Sequence, residues 1–380
     1  MRIAHIGLAS YYTDGMTYQD NQLAEQNVRD GNETLYISNA AKYVDGEIVV
    51  TGYEDIVLES GVRLIRLPYV RVINSFVSGK VRMVRGLYQI LDNFKPDVIL
   101  SHDLTYYSVL DVVKYKKNHK DVKLYADTHT DSKNSGRNWL SIHVLHRFFY
   151  KSLIKKTLKY LDKYLYIGIE EKRFSIENYR IPEEIMTFFP LGTQILDKQE
   201  YELKREKKRQ ELSLQEGELL FIHSGKLDGL KRTENLVNAF CQVPDLKAKL
   251  VIIGSIPEER NTLLLDLFAK DSRIEFLGWK SGDELKEYLC ACDLYCQPGG
   301  PSASLQNAIG CNCPVMCYPH EVYLVLDKGN IIWVKSEQDM VNVFESIVVG
   351  NIDLSMMAKE AQRCALECLD YREIVKVIYQ

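Results

Sequence analysis

The sequence predicts an α/β protein made of two successive Rossmann-like, doubly wound domains. Three observations carry this reading: a length of 380 residues, a strand–helix alternation that stops near residue 190 and restarts at 219, and a highly charged stretch between the two runs. A chain of this length is long for one core and comfortable for two. Apolar strands alternating with helices imply parallel sheets covered on both faces.

In the first run, Arg2 to Leu8 reads as a strand, Ala9 to Gly15 as a loop, and Thr17 to Asp30 as a helix ending at Gly31. Further strands are expected at Thr34–Ser38, Val62–Ile65, Val98–Leu100, Lys123–Ala126 and Lys163–Ile167. Residues 196–216 read as a charged linker containing a helix, between an N-terminal domain at 1–195 and a C-terminal domain at 217–368. In the second run, strands are expected at Leu219–His223, Ala248–Ile253, Arg273–Leu277, Leu294–Gln297, Val315–Cys317 and Ile331–Trp333, with a helix over Arg232–Phe240.

Composition narrows the class. The chain is 46% hydrophobic and 26% charged, as expected of a packed globular protein. A net charge of −4 argues against a dedicated nucleic-acid binder, which carries a strongly basic face. All nine cysteines lie beyond residue 240. Their spacing lacks the paired C-x2-C pattern of a zinc site, so they read as small apolar residues of a reduced core, and no metal is implied. The N-terminus reads as a strand rather than a signal peptide, and no apolar run approaches a membrane span. These features point to a cytoplasmic protein.

Ligands of open α/β sheets gather at the carboxyl ends of strands, where glycine-rich turns lead into helices. That rule selects three loops. Leu8–Asp20 carries Asp14, Gly15, Tyr18 and Asp20, without a full G-x-G-x-x-G. His223–Arg232 places Gly225, Lys226 and Lys231 after a strand, a plausible clamp for a diphosphate, since ammonium groups neutralise phosphate charge. Gln297–Ala308 is rich in small residues, which let the backbone N–H groups of Ser302, Ala303 and Ser304 face an anion at a helix start.

With these residues in place, the chain resembles the retaining family 4 glycosyltransferases, the glycosyl transferases group 1, which share the GT-B fold. Gly225, Lys226 and Lys231 match the G-[RK]-x-x-x-x-K element of the family. Asn307-Ala308 and Pro314-Val315 set the register of a second family segment. Asp127-Thr128-His129-Thr130-Asp131 looks like the family's strand-end histidine segment, and Leu369–Val375 like a final helix (369–380) that crosses back to the N-terminal domain. The resemblance implies two domains facing a central cleft and a sugar transferred from a nucleoside diphosphate, UDP or GDP, with its anomeric configuration kept. It needs no cofactor and no metal.

The resemblance also distributes roles. Lys226 and Lys231 stabilise the departing diphosphate, and His129 acts near the donor sugar. Gly15, Gly225, Trp279, Ser302, Ala303, Ser304, Gln306 and Asn307 bind the donor, while Asp103 and Asp131 are candidates on the acceptor side. One departure stands out: the family's two loop glutamates fall here on Gly299 and Asn307.

The acceptor side is suggested by residues 133–163, where eight Lys and Arg face one acid among Trp139, Phe148, Phe149, Tyr150 and Tyr160. From Ile142 the spacing is that of a basic amphipathic helix, suited to an anionic membrane surface and equally to a solvated domain-packing helix. A glycan or lipid-linked acceptor in bacterial surface polysaccharide assembly follows from this reading. A non-catalytic relative that binds a sugar nucleotide or stabilises a partner, and a sugar-nucleotide epimerase on the same scaffold, are the alternatives.

Overall fold

The computed structural model describes every residue except Thr17, Asp45, Gly46 and Lys133. The chain forms two compact units, one of Met1–Pro190 with Ile374–Gln380 and one of Leu191–Glu373.

Among the described residues the first unit contains ten strands: β1 (Arg2–Gly7), β2 (Glu33–Asn39), β3 (Ala41–Val44), β4 (Glu47–Val50), β5 (Glu54–Val57), β6 (Arg63–Leu67), β7 (Val98–His102), β8 (Lys123–Thr128), β9 (Lys163–Tyr166) and β10 (Met186–Phe188). Eight of them form one sheet in the order β10-β9-β8-β7-β1-β2-β6-β5, parallel except for β5, which pairs antiparallel with β6. The strand order reverses direction at β1, so the loops after β1 and β7 flank a switch point. The side chains of Ala4 and Ile6 join the main core with Leu35, Ile37, Ile99 and Leu124. His5, between them, points to the opposite face of the pleat, where Tyr36 and Tyr12 pack against Ala24 of the helix Gln19–Arg29.

The expected first helix begins at Gln19 rather than Thr17, the latter lying outside the described residues. Strands β4 and β5, with exposed Val49, Val50, Ile56 and Val57, escaped the sequence reading because neither face of β4 is buried. A strand exposed on both faces carries no alternating signal.

The second unit holds β11 (Leu219–Lys226), β12 (Ala248–Ser255), β13 (Ile274–Phe276), β14 (Leu294–Gln297), β15 (Val315–Cys317) and β16 (Ile331–Trp333), all parallel, in the order β13-β12-β11-β14-β15-β16. This is the doubly wound order of a dinucleotide-binding sheet, with its switch point between β11 and β14. One core lies on each face: Leu220, Ile222, Val251 and Tyr295 line one, and Phe221, Leu250, Ile252 and Phe344 the other. Seven of the nine cysteines are buried, most of them within these cores.

The charged stretch at 196–216 forms the helix Lys198–Glu211, started by Asp197, whose carboxylate accepts the Glu200 N–H at 2.8 Å. This helix is tied into the second unit. Arg205 and Arg209 reach Asp293 at 2.5 and 2.8 Å, and Lys208 meets Glu287 at 3.1 Å. Among the described residues, no helix is long and apolar enough to cross a membrane.

Candidate functional site

The C-terminal unit brings the second and third predicted loops to its switch point. Strand β11 ends at Gly225 and Lys226, with Gly225 at φ 137° opposite Gly254 at φ 147° in register. A Cβ on Gly254 would stand 1.8 Å from the Gly225 carbonyl oxygen, so these two backbones approach as only glycines allow. The turn that follows is closed by Asp228, whose Oδ1 accepts the Leu230 N–H at 3.0 Å, while the Lys231 N–H reaches the Asp228 carbonyl at 3.1 Å.

Lys231 folds back over Gly225. Its Nζ lies 3.6 Å from where a Cβ of residue 225 would be. Burial lowers the pKa of this ammonium, and Asp228 opposes the shift. Lys226 is exposed at the strand end. Beneath the turn, His223 is fully buried, with Nδ1 2.7 Å from the Cys296 carbonyl oxygen and Nε2 3.0 Å from Thr233 Oγ1. A carbonyl only accepts, so Nδ1 carries the proton and Nε2 accepts from the threonine hydroxyl. Burial, assisted by the Lys231 charge, lowers its pKa to about 4, so the ring is neutral at neutral pH.

The loop after β14 is joined to this turn through its backbone. The Gly300 N–H donates to the Leu230 carbonyl at 2.9 Å, and Gly299 packs directly on Leu230 and Lys231. Two of the three N–H groups expected to face an anion already have partners within this unit, which corrects that expectation. The Ser302 N–H donates to Tyr323 Oη at 2.8 Å, and the Ser304 N–H to Ser302 Oγ at 3.3 Å, because Ser302 caps the helix Ala303–Gly310. Ala303, at the first turn of that helix, is exposed. Gln306 is half-buried, and Asn307 Oδ1 accepts from Thr193 Oγ1 at 3.1 Å. Trp279, 71% exposed, follows Gly278, whose carbonyl accepts the Gly254 N–H at 2.8 Å.

In the N-terminal unit a buried cluster of charge lies under the switch point. His102, at the end of β7, has Nδ1 2.7 Å from Asp127 Oδ2 and 3.6 Å from Asp20 Oδ1. Tyr36 donates to Asp20 Oδ2 at 2.9 Å and Ser10 Oγ to the same oxygen at 3.2 Å. Burial alone would discharge His102, yet Asp20 and Asp127 raise its pKa to about 9. Burial opposes ionisation of Asp20 as well, but His102, His129 and the two hydroxyls hold its carboxyl below the usual range. His129 stands beside this cluster, its Nε2 buried without a hydrogen bond and 3.9 Å from Asp127 Oδ2.

Asp103 is at φ 69°, and both its oxygens are engaged: Oδ1 accepts the Leu104 and Thr105 N–H groups, and Oδ2 accepts from Thr130 Oγ1 at 2.5 Å. That leaves it a loop-holding residue, which corrects its reading as an acceptor-orienting carboxylate. Asp131 Oδ1 accepts the Asn134 N–H at 2.6 Å. Gly15 is exposed in a turn at φ 73°. In the sequence Asp20 stands out only as a loop residue, and the His5–His102–Asp127 association leaves no signal, because the partners come from β1, β7 and β8.

Of the basic stretch 133–163, Lys133 lies outside the described residues. The remainder contains a π-helical turn at Ser141–Tyr150 running into the helix Lys151–Thr157. His146, Tyr150, Leu153 and Ile154 face inward, while Trp139, Leu140, Val144 and Phe148 remain exposed.

Residues 204–363 match the family of glycosyl transferases group 1. No curated protein sequence matches the chain. Among solved structures, HepE of Anabaena in complex with UDP is similar with a TM-score of 0.69 at 14% identity, over 100% of this chain and 98% of that one. Sucrose-phosphate synthase from Thermosynechococcus elongatus is similar with a TM-score of 0.65 at 15% identity, over 100% and 97%. WaaG, a glycosyltransferase of lipopolysaccharide biosynthesis, gives 0.60 at 14%, over 99% of each chain. Identities this low show a shared fold. The chain therefore has the GT-B fold, and residues 204–363 of its C-terminal unit are similar to the glycosyl transferases group 1.

Proposed function

We propose that the protein is a glycosyltransferase that takes a sugar from a nucleoside-diphosphate sugar and places it on an acceptor hydroxyl. The observation that carries this reading is the pairing of two loops at the second unit's switch point. Lys226, Lys231 and the start of the helix Ala303–Gly310 collect there at strand ends. Such a place suits a diphosphate, because both ammonium groups and the helix N-terminus favour negative charge. HepE has been solved with UDP and with UDP-glucose, and a plant starch synthase of similar fold with ADP, which makes the diphosphate the shared element and leaves the base to experiment.

In the reaction, the bond from the anomeric carbon to the β-phosphate oxygen breaks and a bond to the acceptor oxygen forms. The acceptor proton leaves with the departing phosphate or to solvent. Negative charge grows on the leaving diphosphate, and Lys226 and Lys231 meet it there. We assign His129 to the donor sugar, with Gly15, Gly225, Trp279, Ala303, Gln306 and Asn307 around the donor and Asp131 toward the acceptor. Retention of configuration, independence from metals and a place in surface polysaccharide assembly belong to the same proposal. The exposed Trp139, Leu140 and Phe148 beside Arg147, Lys151 and Lys155 support contact with an anionic membrane surface.

Incubation with UDP-, GDP- and ADP-sugars, with and without a lipid-linked acceptor, tests this reading. Transfer that depends on Lys231 supports it, and a sugar nucleotide epimerised without acceptor overturns it. The non-catalytic alternative draws on one observation: Gly299 has no room for a carboxylate, and the Asn307 oxygen is already bonded to Thr193. Tight nucleotide binding with no turnover of any donor would favour it.

A further inference from the structure

The cluster at Asp127 continues away from the strand ends along buried side chains that the proposed function does not use. His102 Nε2 lies 3.0 Å from His5 Nδ1, and His5 Nε2 lies 2.6 Å from the Asn27 side-chain amide. The other end of that amide is 2.9 Å from the Tyr379 hydroxyl, which is 2.7 Å from Asp30 Oδ2. The line therefore runs from β8 through β7 and β1 and the helix Gln19–Arg29 to the 3-10 turn Val375–Tyr379 at the end of the chain.

Each contact needs one proton, and counting them from the far end fixes the rest. The Asp30 carboxylate only accepts, and Tyr379 has a single O–H to give it. The tyrosine oxygen is then free only to accept, and the group that donates to it must be the Asn27 NH2. In the structure Asn27 Nδ2 faces His5 and Oδ1 faces Tyr379; the two ends of a side-chain amide exchange by a half-turn, and this proton order turns the Asn27 oxygen toward His5. His5 Nε2 must then carry the proton, and Nδ1 accepts. His102 Nε2 must donate to it, while His102 Nδ1 donates to Asp127. In this order both nitrogens of His102 carry a proton. The reverse order, with Tyr379 donating to Asn27, would leave the Tyr379 and Asp30 oxygens 2.7 Å apart with no proton between them.

We propose that Tyr379 and Asp30 fix His102 as an imidazolium through Asn27 and His5, and thereby act as positioning residues for the Asp127–His129 pair. The groups that face His102 are His5 from β1, Asp20 from the helix Gln19–Arg29, Tyr36 from β2 and Asp127 from β8. Two carboxylates and one cation leave a net negative charge, and Asp127 Oδ2 is presented both to His102 and toward His129 Nε2. The directions of titration agree: His102 is raised to about 9, and His5 is lowered, first by burial and then by the His102 charge. The role of His129 in transfer rests on the proposed function, whereas the protonation of His102 does not.

Histidine-selective 15N labelling of the full chain reads both points by long-range proton–nitrogen NMR, with His5→Gln and His102→Gln for assignment. The expected wild-type spectrum shows His102 with two protonated nitrogens at neutral pH and His5 with its proton on Nε2. In Asp30→Asn the Tyr379 proton is released toward Asn27, and His102 should titrate lower by roughly one pH unit or more. Tyr379→Phe should move it the same way. A singly protonated His102 in the wild type at neutral pH, or an unchanged His102 titration in Asp30→Asn, overturns the proposal. Asp30 is exposed, so this variant keeps the buried packing intact. If the spectra agree but no sugar is transferred, only the proposed function fails.

Discussion

Gly299 rests on the backbone of Leu230: a Cβ at residue 299 would stand 2.1 Å from the Leu230 carbonyl oxygen. The adjacent N–H of Gly300 bonds to the same oxygen at 2.9 Å. The family glutamate absent at this position thus goes together with a turn that occupies the space its side chain would need. Gly299→Ala should destabilise the C-terminal unit by about 1–3 kcal/mol, the usual cost of overpacking. Gly299→Glu should do the same and should weaken nucleotide binding. Thermal unfolding checks this, and an unshifted transition in Gly299→Ala would contradict it.

Asp293 holds the helix Lys198–Glu211 in place. It accepts from Arg205, Arg209 and the Leu220 N–H, and its side chain is only 12% exposed. Asp293→Asn leaves two partly buried guanidinium groups without their counter-charge. A loss of about 2–3 kcal/mol is expected, below the full cost of a broken buried pair because both arginines retain some solvent contact. Denaturant unfolding reads the change, and a variant as stable as wild type would show that the helix is held by its apolar contacts instead.

His223 makes the C-terminal unit acid-sensitive. Its folded pKa, about 4, lies below the ordinary histidine value of 6.5, so the unfolded chain binds the proton first. The contribution is fully present above pH 6.5 and is lost as pH falls toward 4. Thr233→Val removes the hydroxyl that donates to Nε2 and should cost roughly 1–2 kcal/mol at neutral pH. Measured against pH, wild-type stability should fall across that window, and His223→Gln should flatten the fall.

His102 acts in the opposite direction. Its pKa is raised from 6.5 to about 9, so its contribution is complete below pH 6.5 and disappears as pH rises through 9. The stability gap between wild type and His102→Asn should be on the order of 3 kcal/mol at the acid end of that window and should close above it. A gap independent of pH would mean that the ring acts by packing alone.

Much of the fold was legible because buried parallel strands leave short apolar runs, as at Leu219–His223 and Val98–Leu100. The two C-terminal loops were legible for a similar reason, since glycines and lysines follow those runs directly. The strands β4 and β5 were not, because their apolar residues are exposed and carry no pattern. The charge cluster was not legible either. His5, Asp20, Asn27, His102, Asp127 and Tyr379 are scattered from one end of the sequence to the other, and the sheet order β8-β7-β1, the helix Gln19–Arg29 and the return of the last residues bring them together. Nor did the sequence show that Ser302 and Ser304 spend their N–H groups on Tyr323 and on the helix cap.

Calorimetric titration of UDP, GDP, CDP and ADP into wild type and into the Lys226→Ala/Lys231→Ala double variant shows whether the paired loops hold a diphosphate. One nucleoside diphosphate should bind the wild type, and the folded double variant should lose at least about tenfold in affinity, the equivalent of ~1.4 kcal/mol. Equal affinity in the two proteins, or no binding of any nucleotide at millimolar concentration, would contradict the assignment of this loop pair as a diphosphate site.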